Sequence, residues 1–573
     1  MMLKTSLNNM NPTSRLLGFS IRKNIGLTIL ASIAMLIFCP GFVLTRIFEF
    51  FEHSEVANRI YDISGVTEFM IIAISAVAAV GVVLLNILNF SYLFSKKSSD
   101  VFHSVPLKRG ELLFSRCFAG IINVLIPVIL GYSSLAGIII FVPNVEGEIL
   151  PIIIGFAYTV IAMLFCSAFS MIFIICSGTA FDWAISFFGI NIGSMLVGSL
   201  LLDFCYDNLK GYYPTSTTDL FRYISPPYFL FEGITKYVYD ATESASSIII
   251  HFAICIVLTL IFFIISTVLY KKRPAEKGGD SFAFRFIYII CSLLVGFCSG
   301  YALGIIFAQD ENTPLFYVLA GVGAILSCVV YGAITDRGFK KVKSYILTGV
   351  ISFSIFAITL LSISFDVFGF SKRIPEAQNI EYVSIGIDST DVIYEDPTLA
   401  LDIHKAVYDK PFNEGFDNSV LLTYKLKNGF TMTRKFWYES KYINDLLLKY
   451  DKSEERIKNI EQQIEAAYEH FDVDYQYTDF ESGESEPTYV YMKIDKKQMR
   501  QVFELYKKEL ENAKEYSANR DYDTNFSYNV MEDNGFNYEF FGLNLSEDFP
   551  ETRKLLDELY KEFYINAEDE KVN

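Results

Sequence analysis

ILPIIIGFAYTVIAMLFCSAFSMIFII, residues 149–175, decides how the rest of the chain is read. It contains no Asp, Glu, Lys or Arg, and it exceeds the roughly 20 apolar residues a helix needs to cross about 30 Å of hydrocarbon. A central charge costs about 2.5–3.5 kcal/mol on insertion, so an uncharged run of this length reads as a span. Eight more such runs accompany it: Ile25 to Leu44, Phe69 to Leu93, Phe118 to Val142, Ala184 to Leu202, Ile248 to Leu269, Ile287 to Phe307, Pro314 to Ile334 and Ile346 to Phe365. The run from Ala184 is the shortest and is rich in Gly and Ser. Without it, everything downstream would change sides.

Composition agrees. The 573 residues are 52% hydrophobic and 16% aromatic, with a mean hydropathy of +0.33, which excludes one compact water-soluble domain. The net charge of -17 joins two unlike parts. From Asp366 onward 44 acidic and 25 basic residues give -19, and the remaining 21 acidic and 23 basic residues give +2. An acidic tail is soluble and is repelled by nucleic acid and anionic lipid. All nine cysteines precede it, so a tail outside the cell folds without disulfides, which suits a Gram-positive-like surface.

Basic residues stay on the cytoplasmic side of short loops. Lys4, Arg15, Arg22 and Lys23 form one basic set, Lys96 to Arg116 a second, Lys271 to Arg285 a third and Arg337 to Lys343 a fourth; the alternate connections carry mostly acids. The expected fold class is therefore a polytopic α-helical membrane protein of the plasma membrane, with about nine TM helices, N-in/C-out, and a C-terminal α+β extracytoplasmic domain. Its parts are a cytoplasmic leader at 1–24, a six-helix core at 25–270, three additional TM helices at 271–365 and the acidic domain at 366–573. In the leader, Leu16, Leu17, Phe19 and Ile21 alternate with Arg15, Arg22 and Lys23; this fits a helix lying on the inner surface or an ordinary basic flank.

In the tail, NIEYVSIGI alternates as a strand, and SVLLTYKLKNGFTMTRKFWYE reads as two strands about an Asn428-Gly429 turn. YINDLLLKYDKSEERIKNIEQQIEAAYEHF reads as helical throughout, and a strand-then-helix unit recurs at PTYVYMKI and at FNYEFFGLNL. The connection Asp203 to Glu243 contains YYPTSTTDLFRYISPPYFLF, which suits a re-entrant hairpin about Pro226-Pro227 or an interfacial aromatic belt.

Catalytic signatures are missing: the sequence has no GxxxxGK[ST] phosphate loop, GxGxxG, HExxH or GxSxG. His53, His103, His251, His404 and His470 show no ligand spacing. The spans lack the Asp, Glu or Arg of an ion-coupled relay, and Asn86, Asn89, Asn123 and Asn191 suit interhelical hydrogen bonds. Such a chain is expected to take its energy from another subunit at a cytoplasmic loop. KKSSDVFHSVPLKRGELLFSR, with a short amphipathic helix, a Pro106 stop and a basic cluster, is the first candidate; a simple positive-inside anchor is the plainer account.

SSDVFHSVPLKRGELLFSR resembles the coupling loop of ABC-2-type exporter permeases, with its D-hSLP-R-ell-R pattern and Val105 in place of the usual Leu. LYKKRPAEKGGDSFAF resembles the Y-R-P-E-AG-FAF loop of Gram-positive permeases that carry extra spans and a large C-terminal outside domain, with Gly278 displaced by Lys277 from the expected small residue; a charged turn is the competing account. FDVFGFSKRIPEAQNIEYVSIGI resembles the junction into that domain. The resemblance implies an exporter permease that pairs with a second copy or a paralogue, sits in membrane lipid and docks on a separate ABC ATPase subunit. It implies that this chain binds no cofactor, with ATP and Mg on the partner, and it names no nucleic acid. On this reading the coupling loop comprises Asp100, Phe102, His103, Ser104, Pro106, Leu107, Lys108 and Arg109, with apolar residues docking and charged ones setting register. The second loop comprises Lys272, Arg273, Pro274, Glu276 and Gly279. The main rival is a membrane-anchored sensor with an outside ligand-binding domain; a secondary carrier and an enzyme rank behind it.

Overall fold

The computed structural model describes residues 12–52, 60–104, 107–214, 217–239, 245–311, 313–387, 390–408, 418–438, 443–477, 488–514, 516, 523–532, 535–544 and 549–572. Among them, nine helices are long and apolar enough to cross a membrane, as a multi-pass membrane protein requires. A strand-containing C-terminal region follows. The chain divides into two compact units, Met1–Leu201 with Ser216–Leu360, and Leu202–Thr215 with Leu361–Asn573.

In the first unit a leader helix α1 (Pro12–Lys23) precedes α2 (Ile25–Glu52), α3 (Ser64–Phe90), the short α4 (Lys96–His103), α5 (Arg109–Phe141), α6 (Ile149–Cys176) and α7 (Ala180–Asn208). The expected hairpin region is two helices, α8 (Thr217–Ile224) and α9 (Pro226–Tyr239), broken at Ser225 because Pro226 starts the second. Arg222 Nε donates to Glu232 Oε2 at 2.6 Å and ties the pair together. Then come α10 (Ala245–Lys272), α11 (Arg285–Ala308), α12 (Pro314–Thr335) and α13 (Val342–Ser364). The buried core runs along α3, α5, α6 and α10. Two of its polar members pair across helices: Asn86 Nδ2 donates to Ser167 Oγ at 2.9 Å, and Asn24 Nδ2 donates to Asn89 Oδ1 at 2.7 Å.

Lipid offers no hydrophobic drive between helices, so close backbone approach replaces it. Gly296, Gly300 and Gly304 lie four apart on α11, and a methyl added at Gly300 would meet the Ala320 carbonyl oxygen at 2.9 Å. From the other side, a methyl on Gly323 would meet the Ser299 carbonyl oxygen at 2.9 Å and the Gly300 Cα at 3.2 Å. Both obstacles are backbone and cannot swing away.

The second unit contains two four-stranded antiparallel sheets. The first has strands β3 (Ile380–Ile387), β4 (Thr390–Tyr394), β5 (Asn418–Leu426) and β6 (Thr431–Tyr438) in the order β4-β3-β5-β6; β1 (Tyr61–Asp62) and β2 (Val145–Glu146) are a two-residue parallel pair in the first unit. The second sheet has β7 (Ala467–Tyr477), β8 (Thr488–Asp495), β9 (Asp523–Glu532) and β10 (Gly535–Asn544) in the order β10-β9-β7-β8. A helix joins second to third strand in each: α14 (Thr398–Tyr408) in the first, α17 (Lys496–Asn512) in the second. Helices α15 (Asn444–Asp451) and α16 (Glu454–Ala466) follow the first sheet, and α18 (Pro550–Val572) follows the second.

Each half therefore runs ββαββα with strand order second-first-third-fourth. The strand-then-helix unit legible in sequence is one part of a tandem pair sharing one core, in which Val383, Leu422, Phe471 and Phe526 are all buried. The long helix expected from Tyr442 to Phe471 is corrected at both its middle and its end. Ser453 caps a new helix by accepting from the Arg456 amide at 3.3 Å. From Ala467 the chain is strand, because pairing with β8 and β9 on both edges overrides helical propensity.

Within this unit, Leu202–Thr215 lies against the first sheet. The Lys435 amide donates to the Gly211 carbonyl at 3.3 Å. Gly211 has φ +74, and a methyl there would sit 2.6 Å from the Phe436 ring, so only glycine suits the position. Beneath lies His404, fully buried, with Nδ1 3.0 Å from the Tyr424 hydroxyl. Burial, with the Arg434 charge adding to it, pushes His404 down to about 4.

Two outcomes follow from these packings. Gly300→Leu must push α11 off α12, and overpacking of this kind costs about 1–3 kcal/mol, so the detergent-solubilised variant should melt several degrees below the parent. For His404 the folded-state value lies below the ordinary 6.5, so its contribution is complete above pH 6.5 and is lost as pH falls toward 4, about 3 kcal/mol in all. With Trp183 replaced by Phe, Trp437 fluorescence should report acid unfolding of this unit in that window, and His404→Phe should flatten the dependence.

Candidate functional site

Two of the sequence-predicted loops meet. Between α3 and α4 a short 3₁₀ turn, Ser91–Phe94, reverses the chain, and α4 continues as an amphipathic helix. Its two faces differ in kind. Lys97, Asp100, Val101 and Ser104 are exposed, whereas Ser99 is buried and Phe102 is half-buried. Val101 is 64% exposed, high for an apolar side chain next to the inward-facing Phe102.

Phe102 turns inward. Its ring lies 4.7 Å from that of Tyr92, and the Arg116 guanidinium sits 4.1 Å from the Phe102 ring centre and 4.5 Å from that of Tyr92. Arg116 Nη1 also donates to the Asn89 carbonyl. Tyr92 in turn shares a 2.6 Å hydrogen bond with Tyr270 at the end of α10. Phe102 was expected among the apolar docking residues; the cation above its ring makes it an anchor of α4, and Val101 takes the outward position. Leu107 is half-buried, Lys108 exposed, and Ser104 closes the helix by donating to the Val101 carbonyl at 2.8 Å. Pro106 lies outside the described residues, as do Val105 and the side chain of His103.

The second loop backs this helix through main chain. Arg109 Nη1 donates to the Lys271 and Arg273 carbonyls, each at 2.9 Å. Arg273 is buried at 2% exposure and donates from Nη1 to the Ile174 and Ile175 carbonyls at 3.1 and 2.5 Å, and from Nη2 to the Leu93 carbonyl at 2.8 Å. Burial pushes it down to about 10, which leaves it charged at neutral pH. One guanidinium thus collects the carbonyls that the ends of α3 and α6 leave over. Lys272 and Pro274 are exposed, as are Glu276 and Gly279.

A methyl on Gly278 would meet the Leu93 carbonyl oxygen and the Lys96 nitrogen at 3.0 Å. The Gly279 amide donates to the Gly178 carbonyl at 2.9 Å, and Ser177 bridges Phe282 antiparallel. Lys96 reaches Asp280 at 3.5 Å. The segment Arg273 to Ala283, the turn at Cys176 to Gly178 and α4 consequently form one platform at the ends of α3, α6 and α10. Arg273 and Gly178 were not recognised as structural from sequence. In the sequence Arg273 reads as a member of the basic second loop with no sign of its carbonyl partners, and Gly178 carries no motif that marks it.

Among the described residues no group of three or more His, Cys, Asp and Glu could hold a metal. Comparison with protein-family models, with curated proteins and with solved structures gave no match.

The bracket around Arg116 yields a direct expectation. Arg116→Met leaves the Asn89 carbonyl without its charged donor and removes the cation from two rings, together about 2 kcal/mol. Limited trypsin digestion of the purified protein should then cut at Lys96 or Lys97 several-fold faster, while sites in the tail keep their rate.

Proposed function

We propose that the chain is the permease subunit of an ATP-binding cassette exporter, forming the translocation path and driven by a separate ATPase subunit. One observation carries the reading: α4 is held from behind through Phe102 on Arg116, and the turn before it by Arg273, while Asp100, Val101 and Ser104 are exposed. A helix so braced on one side and bare on the other suits transmission of force from a docked partner. The resemblance of SSDVFHSVPLKRGELLFSR to exporter coupling loops supports the same assignment.

On this reading the protein is a polytopic plasma-membrane protein with its basic loops in the cytoplasm and its acidic domain outside, and ATP and Mg belong to the partner. The six helices from α2 to α10 form the permease core, excluding α1, α4, α8 and α9; α11 to α13 are an extension. The platform at Lys96 to Arg109 and Lys271 to Ala283 is the docking surface, and a second copy or a paralogue completes the path. The chain itself is not an enzyme. Phe102 acts as a positioning residue.

Val101→Asp places a charge on the docking face without touching the anchor. Purified with its ATPase partner, that variant should lose most transport-linked ATP hydrolysis while its melting temperature stays within a degree or two of the parent. Unchanged coupled hydrolysis in a correctly folded Val101→Asp protein overturns the docking assignment. A membrane-anchored sensor is the second reading, favoured by an acidic unit with its own core; failure of any ATPase to copurify from gently solubilised membranes would support it.

A further inference from the structure

Three helix ends and the segment before α11 enclose a cavity of about 430 Å³ in the first unit. Lys277, Arg285, Arg337 and Lys341 line it, with Asp280 and Asp336 as the only carboxylates among the described lining residues. Both carboxylates are engaged. Asp336 accepts from the Tyr345 hydroxyl at 2.7 Å, Lys341 Nζ at 3.0 Å and Ser281 Oγ at 3.2 Å. Although burial opposes it, those donors hold its carboxyl below the usual range, so it stays an anion fixed to Lys341. Asp280 lies 3.4 Å from Lys277 and 3.5 Å from Lys96. Among the described residues the Arg285 guanidinium meets no carboxylate at ion-pair distance, while Arg337 also feels the buried Asp182 carboxylate of α7. Arg285 spends one donor on a neutral oxygen, Ser344 Oγ at 3.1 Å; both side chains are exposed to the cavity mouth.

Two further features point the same way. The cavity is bordered by the N-terminal turns of α11 and α13, through Arg285 and through Ser344 with Tyr345. Neither turn contains an acidic side chain to neutralise it, so two positive helix ends converge on one space. Tyr288, which lines the cavity, is 8% exposed and its buried hydroxyl makes no well-formed hydrogen bond, the nearby Ser292 hydroxyl lying outside good hydrogen-bond geometry. A buried hydroxyl without a good partner is costly, and an oxyanion accepting from it would satisfy it.

We propose that this cavity binds a phosphate-bearing anion, with Arg285 and Arg337 as its charged donors and Tyr288 as its neutral one. Phosphate geometry matches paired guanidiniums. The cavity lies at the ends of three membrane-length helices, where basic pockets meet lipid headgroups, so an anionic phospholipid and a soluble phosphate are the two sources of the same chemistry. The site also has a mechanical consequence. Its wall, Lys277 to Ala283, is the segment whose Gly278 backs α4 and whose Gly279 and Ala283 bond to the end of α6. An occupant would therefore stiffen the platform without touching its outward face. This inference does not depend on the exporter assignment.

The test uses the full-length protein in nanodiscs of phosphatidylcholine doped with phosphatidic acid, and in neutral detergent with inorganic phosphate alone. Native mass spectrometry after gentle extraction counts retained phosphatidic acid, and thermal stabilisation reports phosphate. Arg285→Gln with Arg337→Gln should lower retention or apparent affinity about tenfold or more, and Tyr288→Phe should lower it by a smaller factor. Lys340→Gln, which removes one charge outside the cavity, should leave it unchanged. Phosphatidic acid retained against excess inorganic phosphate identifies the lipid as the source; displacement by phosphate, with stabilisation in detergent, identifies the soluble anion. Equal binding by the double variant and the parent, equal weakening by Lys340→Gln, or no binding of either probe by the parent overturns the proposal. Because both arginines are exposed, the size-exclusion profile of the double variant should match the parent and keep these outcomes interpretable.

Discussion

A helix end that emerges near lipid must find donors for its last carbonyls, because an unsatisfied backbone group there costs several kcal/mol. The platform of this protein is built on that constraint. Arg273 takes the carbonyls of Ile174, Ile175 and Leu93 with one buried guanidinium, and Arg116 takes that of Asn89. Each arginine joins elements far apart in sequence, so the ends of α3, α5, α6 and α10 are set relative to one another by shared charge-assisted hydrogen bonds. Helix packing alone would leave these termini free to slide. The orientation of α4 follows, since Phe102 rests on Arg116 and Gly278 leaves room for the chain at Leu93 to Lys96.

This arrangement shows why the spans were legible in the sequence and the platform was not. Hydrocarbon admits long uncharged helices and little else, so Ile149–Cys176 and its eight counterparts announce themselves by composition. Lys96–His103 was legible as an amphipathic helix for a related reason, the 3.6-residue spacing of its apolar positions. Periodicity gives a face, however, and not what covers it. Phe102 and Val101 are neighbours of similar apolar character, and only the position of Arg116, fourteen residues on, decides which of them is buried. The same limit hid Arg273. A cation in a loop after a span looks like a topology signal, and its three carbonyl partners come from elements distant in the chain.

The tail was legible in pieces for a different reason. Alternation identified Ile380–Ile387 and the hairpin about Gly429 because each strand has one buried face. Strand β4, five residues long, lay below the length at which alternation is distinctive. Ala467–Tyr477 begins as a continuation of a strongly helical pattern, and its strand state rests on two flanking partners remote in sequence. Recognition of the tandem ββαββα arrangement needed the strand order in both sheets, which local patterning cannot supply.

The duplication explains how an acidic, disulfide-free domain can be stable. Each half alone would have one sheet face to bury and only its own two or three helices to bury it. Fused, the halves share a core in which Tyr424 and Tyr450 pack from the first half while Phe471, Met499 and Phe541 pack from the second. Helix α16 stitches them: it follows the first sheet, and its buried Arg456 donates to the Gly542 carbonyl of β10 in the second at 2.7 Å. A cation buried at that position is strongly destabilising if its partner is lost, so the two halves are expected to stand or fall together. Most of the excess negative charge can then remain on the surface, where water screens it, while the buried Arg434, Arg456, His404 and Asp451 are held by backbone carbonyls and tyrosine hydroxyls. Cooperative burial across the repeat does the work that cystines do in small secreted domains.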